Sequence, residues 1–174
     1  AIETLSRSKV DAIILMATDI TDKHLEVIDK ANVPVIIVGQ AYPGLHSITH
    51  DDYQAGLKVG EWVGQNQPQR VVFFSVTEKD IAVGVHRRNG LVDGLSKYQI
   101  EPDIFETSFK YEEALKDIKQ TLTKINDADV IIGATDAIAL AIHKYRFNSD
   151  QLLKPTMIHG FGGDPMTQIV SPII

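Results

Sequence analysis

The chain has 174 residues, 17 basic and 23 acidic side chains, a formal charge of −6, no cysteine, and 44% hydrophobic residues. That fraction is too high for a disordered chain, and no apolar run approaches the ~20 residues that a membrane helix needs. Without cysteine there is no disulfide scaffold or thiolate chemistry, and the acidic balance argues against a nucleic-acid-binding surface, which needs clustered Lys and Arg.

In chain order, short β-branched runs alternate with segments of helical period, the pattern of a parallel sheet with helices on its faces. Residues 1–10 read as the last turns of a helix, and 10–16 (VDAIILM) as a strand whose continuous apolar run suits burial on both sides. A helix over 22–31 follows, with Thr21 or Asp22 to cap it, then a strand at 35–38 after Pro34. A turn-rich stretch leads to a short strand at 47–50. Asp51 and Asp52 cap the next helix, whose apolar face is expected at Ala55, Val59, Trp62 and Val63. The polar, Pro-containing stretch 65–69 is the expected boundary between two lobes.

The alternation then restarts. Strands are expected at 71–74, 104–107, 130–133 and 156–159, and helices at 84–97, 111–125 and from Asp136 onward, with Asp136 as cap. Gly160-Phe161-Gly162-Gly163 joins the last of these strands to a short helix starting at Pro165. The fold class is therefore α/β, two doubly wound parallel-sheet lobes. The amino-terminal lobe spans 1–67 and is partial; the carboxy-terminal lobe spans 70–174 and lacks its end. The chain reads as an interior slice of a longer protein, closing in mid-strand at SPII.

Ligands of open parallel sheets sit beyond the carboxyl ends of the strands. The segments there are rich in hydroxyls and carboxylates and carry one aromatic, Phe109. Such a set suits a sugar, whose hydroxyls need paired donors and acceptors and whose C–H face packs on a ring. Each residue also has a plainer role: Asp51, Asp80 and Asp136 as helix caps, Phe109 as core, Arg87 as a solvated helical residue, and Gly162-Gly163 as a tight turn. No G-x-S-x-G elbow, Walker A sequence or H-E-x-x-H motif is present, and the six histidines show no ligand spacing. No catalytic residue, metal site or cofactor is expected.

Four stretches in order resemble the effector-binding core of the LacI/GalR family of bacterial repressors: Val10–Leu15 (VDAIIL), Asp51–Gly56 (DDYQAG), Arg87–Leu91 (RRNGL) and Ala134–Ala141 (ATDAIALA). The fold is shared with periplasmic sugar-binding proteins, so a transporter's binding protein is the alternative reading, and a sugar-acting α/β enzyme a third. The resemblance implies an effector held between two lobes by Arg87, Asp51, Phe109 and Thr135, with Met16 approaching from the first lobe. It also implies a cytoplasmic homodimer, no membrane partner, and operator DNA read through a helix-turn-helix that this chain does not contain. The departure is Gly162, which stands where the family pattern G-[FY]-D-[ND] has an Asp. That change resembles the disaccharide-type repressors of sucrose or trehalose utilisation, and it implies a larger ligand, a disaccharide or its phosphate.

Overall fold

The computed structural model describes residues 1–16, 19–121, 124–147 and 156–165. The chain divides into two compact units, residues 1–51 with 79–82, and residues 52–78 with 83–174. The expected SPII strand and nearly all of the helix expected from Pro165 lie outside the described residues.

The first unit contains α1 (Ile2–Arg7), β1 (Ile13–Met16), α2 (Asp22–Asp29), β2 (Val35–Val38) and β3 (His46–Ile48). Its three strands are parallel and lie in sequence order. Thr21 is the N-cap of α2, and its N–H donates to Nδ1 of His24 at 3.1 Å. Ile13, Val35 and Ile37 point into a small core with Ile2 and Ile20. The expectation that the first strand is buried on both sides is corrected here. Ile14 is 72% and Met16 80% exposed, because alternate side chains of a strand take opposite faces and the described elements of this unit cover only that of Ile13.

The second unit contains α3 (Asp52–Gln65), β4 (Val71–Ser75), α4 (Arg88–Ser96), β5 (Asp103–Glu106), α5 (Tyr111–Thr121), β6 (Val130–Gly133), α6 (Asp136–Phe147) and β7 (Met157–His159). The four strands are all parallel, in the order β5-β4-β6-β7. β4 and β6 are buried along their whole length, as a sheet covered on both faces requires. Phe73, Phe74, Ile131 and Ile132 form the middle of the core, with Leu91, Leu95, Ile118, Ile138 and Ile142 from the helices.

Helix α3, which the polar stretch 65–69 assigned to the first lobe, packs instead against α4 and is grouped with the second unit. The contact is made by glycine. A Cβ on Gly60 would stand 2.4 Å from the Leu91 carbonyl oxygen, and one on Gly94 2.4 Å from that of Leu57. Backbone therefore meets backbone, and the buried line of α3 is Asp52, Gly56, Gly60, Val63 and Gly64. The expected face is corrected accordingly: Val63 is buried, but Trp62 is exposed on the flank. The helix expected over 84–97 begins sooner, as a π-helical turn over Ile81–Arg87 that runs into α4. No helix among the described residues is long and apolar enough to cross a membrane.

Candidate functional site

Strands β4, β6 and β7 run parallel, so the segments that follow Ser75, Gly133 and His159 emerge on one edge of the second unit's sheet. Arg87 stands there, at the junction of the π-helical turn with α4. Wide helical turns of this kind are frequent at functional sites. Its Nε and Nη2 donate to Oδ1 of Asp52 at 3.0 and 2.5 Å, and its Nη1 donates to the Ala134 carbonyl at 2.6 Å. The two side chains are 15% and 5% exposed. The Phe161 ring lies under the guanidinium, 4.9 Å from Cζ to the ring centroid, within cation–π range.

This geometry follows from the helix contact. Asp52 begins the line 52, 56, 60 and 64, and a Cβ on Gly56 would stand 2.1 Å from the Arg87 carbonyl. One turn beyond Asp52, α3 thus touches the backbone of Arg87 itself, which leaves the carboxylate at the guanidinium. Of five N–H donors in a rigid fork, three are engaged in these contacts. Neighbouring hydroxyls or a phosphate can use the others.

The loop after β7 is moulded on Asp136. The Asp136 N–H donates to the Phe161 carbonyl at 3.0 Å, and Oδ2 accepts the Asp164 N–H at 2.6 Å. Gly160 and Gly162 pass so close that a Cβ on each would stand 2.6 and 2.9 Å from the same carboxylate, and Gly162 has φ +133°. The expected helix cap is corrected: the hydroxyl of Thr135, not Asp136, accepts an N–H of the first turn of α6, from Ile138 at 3.4 Å. The imidazole of His159 has its pKa held below the ordinary value by burial, against an opposing pull from Asp136. Among the described residues no cluster of three or more His, Asp or Glu is placed to hold a metal ion.

Of the residues singled out from sequence, Arg87, Phe109, Thr135 and Gly162 belong to the second unit, and Met16 and Asp51 to the first. Arg87 touches the residue before Thr135 and the residue before Gly162. Phe109 follows β5, two strands away from β6, and is 37% exposed. Beside it Thr107 is buried and donates to Asp117 at 2.9 Å, and Ser108 accepts the Lys110 N–H at 3.2 Å. Met16 ends β1, and Asp51 closes the run of the first unit that reaches α3.

Two residues that build the site were missed from sequence. Asp52 passed as a cap, although its four-residue spacing from Gly56, Gly60 and Gly64 places it on the buried line. Phe161 passed as part of a glycine turn.

Over residues 1–168 the chain matches the family described as periplasmic binding protein domain. It is 56% identical over 174 residues to the sucrose operon repressor of Staphylococcus xylosus, a match that covers all of this chain and 54% of that protein. Among solved structures it resembles the transcription regulator CcpA of Lactococcus lactis at a TM-score of 0.82 and 21% identity, covering 99% of this chain and 65% of that one. A LacI family transcriptional regulator from Enterococcus faecium with bound ribose is equally similar in fold, at a TM-score of 0.82 and 18% identity, covering 99% and 66%. The chain spans about half the length of the curated relatives it matches. Alternating strands and helices in two parallel-sheet units, together with this match over nearly every residue, place the chain in the periplasmic binding protein domain family.

Proposed function

We propose that this chain is the sugar-sensing part of a LacI-type transcriptional repressor, a non-catalytic module that binds a disaccharide such as sucrose, or its phosphate. The observation that carries the reading is the Arg87 fork, fixed by buried Asp52 and the Ala134 carbonyl over the Phe161 ring at the strand ends. A guanidinium held in this way is preorganised for hydroxyl or phosphate oxygens. The 56% identity to a sucrose operon repressor supports both the regulatory role and the sugar. In this reading Asp51, Thr135, Phe109, Gly162 and Met16 complete the effector contacts, and the protein works as a homodimer in the cytoplasm. The effector acts only through a difference in its affinity for two conformations, which changes how a DNA-reading segment outside this chain meets its operator.

The test is calorimetry of the full-length protein with sucrose and with sucrose phosphate, followed by operator-DNA retention with and without the bound sugar. Arg87→Ala is expected to weaken sugar binding by about 2 kcal/mol or more, roughly thirty-fold, since its hydrogen bonds are charge-assisted. Unchanged affinity removes Arg87 from the site. Failure of both sugars to bind overturns the reading. Sugar binding without DNA retention favours a transporter's binding protein of the same fold.

A further inference from the structure

Phe161 lies in the middle of a run of stacked groups. It meets the Arg87 guanidinium, 4.9 Å from the ring centroid. It also meets the His159 ring, edge-on at 78° and 6.1 Å between centroids. Beyond His159 is the indole of Trp62, tilted by 31° at 5.5 Å and nearly half exposed. Three elements contribute to this path: the π-helical turn before α4 through Arg87, the β7 strand and its loop through His159 and Phe161, and the third turn of α3 through Trp62. Phe161 packs on the margin of the main core, whose fully buried aromatics are Phe73 and Phe74. The stacked run connects the engaged face of a binding arginine to an aromatic at the surface.

We infer that Phe161 is a positioning residue for Arg87, braced by His159 and Trp62, and that Trp62 senses occupancy of the site through this path. The inference rests on the effector reading of Arg87. Asp52 fixes the guanidinium in its own plane through two bonds to one oxygen, which leaves rotation about that oxygen open. The Ala134 carbonyl and the Phe161 face restrict the remaining freedom. A ligand that draws on the guanidinium's other N–H groups shifts it over the ring, and a T-shaped contact transmits that shift to the imidazole beside Trp62.

The experiment uses the full-length protein and three variants. Phe161→Tyr keeps the ring face, Phe161→Leu removes it at similar apolar character, and Trp62→Phe identifies which emission belongs to Trp62. Sucrose and sucrose phosphate are titrated by calorimetry and by tryptophan fluorescence. The expected result is that the Leu variant binds about five- to thirty-fold more weakly, the range of a partly desolvated cation–π contact, while the Tyr variant binds like wild type. Saturating sugar should move the Trp62 emission in wild type and the Tyr variant, and much less in the Leu variant. Should Phe161→Leu fail to fold, Trp62→Leu at its exposed position carries the test, with a two- to five-fold loss of affinity expected. Wild-type binding with unchanged affinity in the ring-less variant, or with no change in Trp62 emission, overturns the inference alone. Absence of sugar binding by the wild type overturns the effector reading and this inference with it.

Discussion

Asp52 and Arg87 show how one carboxylate sets both the stability and the chemistry of a site. The pair is almost wholly removed from water, so its worth lies mainly in what happens when a partner is lost. Asp52→Asn keeps the shape and one acceptor oxygen but removes the charge facing the guanidinium. We expect urea denaturation to report a loss of about 1–3 kcal/mol. Sugar affinity, measured by calorimetry, should fall as well, because Arg87 is no longer held in one plane; an unchanged melt would mean that the pair is dispensable. Gly162 allows a different test. Gly162→Asp introduces the residue of the LacI/GalR pattern that the sequence resembles, yet φ is +133° and the new Cβ would stand 2.9 Å from Oδ2 of Asp136. Backbone strain and like charge together should destabilise the protein by about 1–3 kcal/mol. Gly163→Asp should cost less, since that position is left-handed with open space around it, a conformation Asp tolerates. Comparing the two melting temperatures decides the point: equal losses would remove Asp136 from the explanation.

Among the elements, α3 is where pattern reading and packing diverge. Periodicity gives weight to large apolar side chains, so Ala55, Val59, Trp62 and Val63 defined a face. The helix instead buries a line of glycines that lets α4 approach backbone to backbone. Glycine carries no hydropathy to register in such a pattern, which is also why Asp52, on the same line, passed as a cap. Gly60→Ala separates the two effects. Intrinsic propensity favours alanine by about 1 kcal/mol, but the added methyl would meet the Leu91 carbonyl oxygen at 2.4 Å, and backbone cannot swing aside. We expect a net loss of about 2 kcal/mol or more in urea denaturation, with weaker sugar binding because α3 carries Asp52 and α4 follows directly on Arg87. A stabilised Gly60→Ala protein would show that the helices can separate without consequence.

For the molecule as a whole, β2, β4 and β6 were legible because short β-branched and apolar runs leave few alternatives, and the strand-end rule led to Thr135 and Gly162, while Arg87 came from the family resemblance. Burial was less legible. The apolar runs of β1 and β4 look alike in sequence, yet β4 is buried throughout while β1 has every second side chain in water. That contrast extends to the two units. Among the described residues, the second unit's core joins 21 buried apolar side chains and the first unit's five, with Ile14, Met16 and Ile48 exposed on registered positions of β1 and β3. Local opening free energy follows buried apolar contact, so the units of the 174-residue chain should open independently. Hydrogen exchange followed by mass spectrometry is expected to show amides of β1 and β3 exchanging well before those of β4 and β6. In the full-length protein the same β1 and β3 amides should be slower if further chain covers Ile14, Met16 and Ile48, with β4 and β6 nearly unchanged. Uniform protection across both sheets of the 174-residue chain would mean that the units open as one, and that the small core of the first is not its weak point.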